Sequence, residues 1–205
     1  MREILLATGN AKKGRELAQL LGEGWAVRTL RDLPSAPAII EDGLTFEANA
    51  VKKALTLAAS SSGLILADDS GLEVDALGGA PGIFSARYAG EPADDARNNA
   101  LLLDRLATVS DAARGAQFRC VLALAADGQL LRTFEGICRG RLLRAPRGAN
   151  GFGYDPLFVP DGYAESFAEL PAAVKHEVSH RGKAMRQLFE YLKMQNSKCK
   201  MQNCN

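Results

Sequence analysis

Residues Leu64-Ile65-Leu66-Ala67 run without a polar side chain straight into Asp68-Asp69-Ser70-Gly71, and no other feature of the chain limits its fold as much. A short continuous apolar run marks a strand buried on both faces between covering helices. Two adjacent carboxylates where that run stops are costly unless a cation or hydrogen-bond donors meet them. In open α/β sheets, ligands gather at the carboxyl ends of strands. The expectation is a buried strand that stops at Asp68, with the carboxylate pair facing a ligand crevice.

The flanking segments fit an α/β chain. Glu3 to Ala7 reads as a short buried strand, and Thr8 to Lys13 as a turn. A helix from Lys13 to Leu21 follows, with Leu17, Leu20 and Leu21 on one face. Trp25 to Leu30 reads as a second strand. Thr45 is placed to cap a helix from Phe46 to about Ala59, with Glu47 in its first turn. Ala93 to Thr108 reads as another helix. Phe118 to Ala126 and Gln129 to Leu143 read as two long strands joined by Asp127-Gly128, a hairpin signal because both turn positions need positive φ. Ser179 is placed to cap a last helix, in which Ala184, Met185, Leu188, Phe189 and Leu192 recur at helical spacing. Residues 1–193 form one domain in this reading, and the polar, patternless 194–205 a disordered tail.

Composition narrows the function. The net charge of +1 supplies no field toward nucleic acid or membrane, and no apolar run approaches the ~20 residues of a spanning helix. The start, Met1-Arg2-Glu3, leads directly into a strand, so no signal peptide is expected and the cytoplasm is the expected location. Two histidines and four scattered cysteines argue against zinc. Cys120 and Cys138 lie in apolar strands and are expected to be reduced and structural.

Four motifs carry chemistry. Thr8-Gly9-Asn10-x-x-Lys13 joins a strand to a helix. A glycine turn at a helix N-terminus offers backbone N–H groups and a positive dipole end to phosphate, while a plain βα turn is the commoner reading of such a pattern taken alone. Asp68-Asp69 suits a hard cation such as Mg²⁺, which keeps waters and substrate phosphates among its ligands. One of its carboxylates can also deprotonate a water. Beside these four, Glu41-Asp42-Gly43 could supply a further metal ligand, although taken alone it reads as an ordinary acidic turn. Gly151-Phe152-Gly153-Tyr154-Asp155-Pro156 places an aromatic ring where it either stacks on a base or fills core. Ser179-His180-Arg181-Gly182, with Lys175 before it, opens a helix with donors suited to a carbonyl oxygen. By itself that last motif reads as an ordinary capped helix.

Taken in order, these motifs, together with Gly43-x-Thr45-Phe46-x-x-Asn49-Ala50 and Gly78-Gly79-Ala80-Pro81-Gly82-Ile83-x-Ser85-Ala86-Arg87-Tyr88, resemble the inosine/xanthosine triphosphate pyrophosphatase family over roughly residues 2 to 193. The resemblance implies an elongated mixed-sheet α/β fold with two lobes around a central nucleotide cleft. It implies a homodimer and a Mg²⁺-dependent hydrolysis of ITP, dITP and XTP to the monophosphate and pyrophosphate, which cleanses the nucleotide pool. By resemblance Thr8, Gly9, Asn10, Ala11, Lys12 and Lys13 hold the triphosphate, and Lys53, not Lys52, is the lysine near the phosphates. Asp69 is the proton acceptor and a metal ligand, and Glu41 is a second ligand. Ser70, Phe152, Gly153, Tyr154, Asp155, Lys175, His180 and Arg181 contact substrate. The segment Leu170 to Val174 departs from the family in being less acidic. A pyrophosphatase for other modified nucleotides and a non-hydrolysing nucleotide sensor remain as competing readings.

Overall fold

A computed structural model describes residues 2–33, 37 and 39–202, with side chains to residue 195. Six strands form one mixed sheet in the order β2-β1-β3-β4-β5-β6. They are β1 (Arg2–Ala7), β2 (Trp25–Thr29), β3 (Leu64–Val74), β4 (Gly115–Ala126), β5 (Gln129–Leu142) and β6 (Phe158–Pro160). The helices are α1 (Ala11–Leu21), α2 (Phe46–Ala58), α3 (Asp95–Arg105), α4 (Ala172–Val178) and α5 (His180–Gln202).

β1 pairs in parallel with β2 on one side and β3 on the other, and every pairing from β3 to β6 is antiparallel. Chain order therefore reverses direction around β1. A reversal of this kind opens a crevice outside the carboxyl ends of the parallel strands. The turn after β1, Thr8 to Asn10, stands at that opening.

The expected end of β3 at Asp68 is corrected by the structure. The strand continues through Asp68, Asp69, Ser70 and Gly71 to Val74, paired with β4 along its length from Ile65↔Ala125 to Val74↔Ala116. The reason is that β3 and β4 pass from one core into another. Leu66, Cys120, Leu122 and Leu124 pack with α1 and α5 on one sheet face. Ile65, Ala67, Val121 and Ala123 pack under α2 on the other. Beyond the carboxylates, Leu72, Val74, Ala116 and Phe118 enter a second cluster with Leu102, Phe158 and Phe167. The apolar pattern breaks at Asp68 because the strand crosses the gap between lobes there, not because pairing ceases.

The Asp127-Gly128 hairpin forms as expected, with φ of 50° and 76°. α4 and β6 are additions to the expected elements. α5 carries Ala184, Met185, Leu188 and Leu192 into the core. It continues past Lys193 to Gln202, since no Gly or Pro interrupts the sequence there. Residues 203–205 of the expected tail lie outside the described residues.

Candidate active site

Adjacent residues on a strand point to opposite faces, so the pleat of β3 separates the carboxylate pair. Asp68 faces α1 and α5. Lys13 Nζ lies 2.8 Å from its Oδ1 and Arg181 Nε 2.9 Å from its Oδ2. The Ser70 hydroxyl and the Cys120 thiol donate to it as well, each at 3.1 Å. Burial opposes its charge, yet Arg181 and Lys13 hold its carboxyl well below the usual aspartate range. It is a fixed anion.

Asp69 faces α2. Asn49 Nδ2 donates to its Oδ2 (3.2 Å), and Lys53 Nζ to its Oδ1 (3.0 Å). The two donors stand four residues apart on α2, on one face of the helix. Thr45 caps that helix, accepting from Ala48 N. Burial raises the Asp69 carboxyl above its ordinary value, against the pull of Lys53 and Lys13.

A cavity of about 330 Å³ lies over this centre, lined by Thr8, Gly9, Asn10, Lys13, Glu41, Lys53, Asp68, Asp69 and Ser70 among others. The turn is more engaged than expected. Asn10 Oδ1 accepts from Lys12 N and Lys13 N, and Thr8 Oγ1 accepts from Asn10 N. The N–H groups of Gly9 and Ala11 take no such bond among the described residues. Lys12 reaches away from this cavity, to Asp95 Oδ2 at 2.7 Å.

A narrower cavity adjoins the first, sharing Asn10, Lys13 and Ser70. Phe118, Phe152, Gly153, Tyr154, Asp155, Lys175, His180 and Arg181 are among its other lining residues. Lys175 pairs with Asp155 (2.7 Å), whose Oδ2 also accepts from Phe152 N (2.8 Å). The Phe152 ring lies over Lys175 and Arg181, at 5.2 and 5.9 Å from its centroid. His180 stacks on Phe118 at 4.7 Å. Burial, then Arg181, drives His180 well below the ordinary histidine range, so its ring is neutral. Its Nδ1 is buried without a protein partner. Arg181 differs from the free base-reading donor that the sequence suggests. Its guanidinium is committed to Asp68, to Glu16 (2.7 Å) and to Ser70 Oγ (2.8 Å).

Along this one cleft lie a turn suited to phosphate, a carboxylate centre and an aromatic-lined recess. The Ham1 family model matches residues 4–191. The chain belongs to the Ham1 family. A protein called dITP/XTP pyrophosphatase from Desulforamulus reducens is 50% identical over 191 residues, 93% of this chain and 95% of the relative. One of the same description from Shouchella clausii is 47% identical, over 93% and 96%. The Ham1 protein of Staphylococcus aureus matches in structure with a TM-score of 0.84 and 36% identity, over 95% of this chain and all of that one. A HAM1 protein from Coxiella burnetii matches with 0.83 and 41%, over the same shares. The mixed six-stranded sheet with flanking helices is thus the α/β architecture of solved Ham1 proteins.

Within this Ham1-family chain, one Lys53 Nζ lies 3.0 Å from Asp69 and 3.2 Å from Glu41, so both carboxylates face a single point already held by a cation. An all-oxygen pair of this kind suits Mg²⁺, which takes one or two carboxylates and completes its shell with water and phosphate. Among the described residues no three His, Cys, Asp or Glu side chains converge. Sequence reasoning missed Glu16, Asn49 and Asp95 as members of the site. Glu16 lies in the second turn of an amphipathic helix and Asp95 at the start of a charged one, so neither stands out. Asn49 sits within a quoted motif, but nothing in the spacing says that its amide meets Asp69.

Proposed function

We propose that this chain hydrolyses deaminated purine nucleoside triphosphates, ITP, dITP and XTP, to the monophosphate and pyrophosphate, with Mg²⁺ as cofactor. The observation that carries the reading is the Asp69 carboxylate, buried at the floor of the cleft and clamped through both oxygens from α2. The description of close relatives as dITP/XTP pyrophosphatases supports the substrate class.

Asp69 takes the proton of a water that attacks the α-phosphorus. Its carboxyl, raised by burial, is a stronger proton acceptor than that of an exposed aspartate. Lys13, Lys53 and the free N–H groups of the turn offset charge on the departing pyrophosphate. Mg²⁺, when held by Glu41 and Asp69, would neutralise the triphosphate and polarise its phosphoryl oxygens. Asp68 works indirectly, anchoring Lys13 at the phosphate end and Arg181 at the base end.

Phe152 supplies a ring for the base to stack on. Hypoxanthine and xanthine present a 6-keto acceptor where adenine presents an amino donor. A site whose buried donors meet that edge leaves them unpaired against ATP. With Arg181 committed to Asp68, Glu16 and Ser70, and Lys175 to Asp155, the His180 ring, whose Nδ1 has no protein partner, is the group proposed to meet it. The working enzyme is a cytoplasmic homodimer in this reading.

The test is Asp69→Asn. Turnover of ITP should fall by about 100-fold or more, the usual cost of losing a general base, with folding retained by circular dichroism. Near wild-type turnover would overturn the role of Asp69.

A further inference from the structure

We infer that Lys53 makes the site selective for a metal–triphosphate complex over the free metal ion, its ammonium holding the place between Glu41 and Asp69 until a triphosphate brings the charge that admits a second cation. The inference rests on the proposed reading of this pair as the metal ligands.

Three features support it. The Lys53 side chain is buried, and its single Nζ is within ion-pair distance of both carboxylates. Those two carboxylates and one ammonium leave a net charge of one negative. Asp68 adds none, because Lys13 and Arg181 already neutralise it. Arg87 adds a further cation at the rim, donating to the Glu41 carbonyl oxygen at 3.4 Å. On the buried Lys53–Asp69 side, where water screens poorly, a divalent ion arriving alone would be crowded against an ammonium, while Glu41 is 37% exposed at the solvent side.

The ammonium is also held in place. Asn49 bonds Asp69 on one side and, through Oδ1, accepts from Gly43 N (2.8 Å) on the other. The turn bearing Glu41 is thereby tied to the helix bearing Lys53. Gly43 is required for that contact, since a Cβ there would meet Asn49 Oδ1 at 2.7 Å. A triphosphate changes the balance by adding several negative charges beside Lys53, which then has phosphate oxygens to pair with. Metal and nucleotide binding are therefore coupled through this one side chain.

Mn²⁺, an oxygen-seeking stand-in for Mg²⁺, reports binding directly by electron paramagnetic resonance. With no nucleotide present, the wild-type chain should bind Mn²⁺ weakly, and adding a non-hydrolysable α,β-methylene analogue of ITP should tighten binding. Lys53→Met, and Lys53→Gln as a polar alternative, should each bind Mn²⁺ alone about tenfold or more tighter than wild type, and the analogue should then add little. Neither variant binding tighter than wild type would overturn the inference. Glu41→Gln, measured with the analogue bound, separates the two levels. Weaker Mn²⁺ binding there supports the metal assignment, and unchanged binding overturns that assignment together with the inference built on it.

Discussion

Asp68 and Asp69 are neighbours in sequence and opposites in environment. One meets Lys13 and Arg181 and is held as a permanent anion; the other meets Asn49 and Lys53 and is left basic. The sequence makes the pair conspicuous because two charges abut an apolar run. The pleat then predicts that they diverge, yet which of them faces which helix depends on partners 16 to 113 residues away that no local pattern ties to them. Cys120 was legible as a buried thiol but not as a donor to Asp68. At this scale the buried His180 has a measurable consequence. Its folded-state pKa lies well below its unfolded value near 6.5, so between the two the unfolded chain binds the extra proton. Stability must therefore fall as pH drops below about 6.5. Asp68 adds a further loss only in the acid range, below about 3.9, where an unfolded aspartate protonates. Thermal melts from pH 8 to pH 5 should show Tm declining through the lower half of that range, and His180→Gln should flatten the decline. Equal slopes in both proteins would contradict the buried neutral ring.

Elements were more legible than their ends and their contacts. Periodicity found α1, α2, α3 and α5, and the Asp-Gly turn found the β4–β5 hairpin. It missed the continuation of β3, because a strand that crosses a cleft loses its apolar signature while keeping its ladder. It missed β6, which is only three residues long, and α4, which is seven and opens at Pro171. The close seating of α5 on β5 also leaves no pattern in the sequence. Gly136 on β5 lies under the start of α5: a Cβ there would collide with the His180 carbonyl oxygen and approach Ala184 N to 2.7 Å. Gly136→Ala should therefore push the first turn of α5 away from the sheet. A stability loss of about 1–3 kcal/mol is expected from such overpacking, together with a raised KM for ITP as His180 and Arg181 move. An unchanged Tm and KM would show that the helix does not depend on that contact.

At the scale of the whole molecule, two cores share three long strands, and the cleft lies where those strands pass from one core to the other. The charged residues of the site are concentrated at that crossing. Lys12 and Asp95, paired at 2.7 Å, and the bond from Gly153 N to the same Asp95 oxygen (3.0 Å) tie the turn after β1 to the aromatic loop. In the proposed reading, this arrangement fixes the phosphate end and the base end of the cleft at one separation, with Asp69 at the phosphate end. The cleft, its carboxylates and its glycine turns could be read from the sequence. The network of Glu16, Asn49 and Asp95 that holds them could not, since it is assembled only by tertiary contacts. The proposed reaction cuts keto-purine triphosphates at the α-phosphorus. Product analysis of purified protein with Mg²⁺ and either ITP or ATP tests it most directly. IMP and pyrophosphate are expected from ITP, with no orthophosphate and a kcat/KM for ATP lower by about 100-fold or more, as when buried donors are left unpaired. Release of orthophosphate, or equal rates with ITP and ATP, would contradict it.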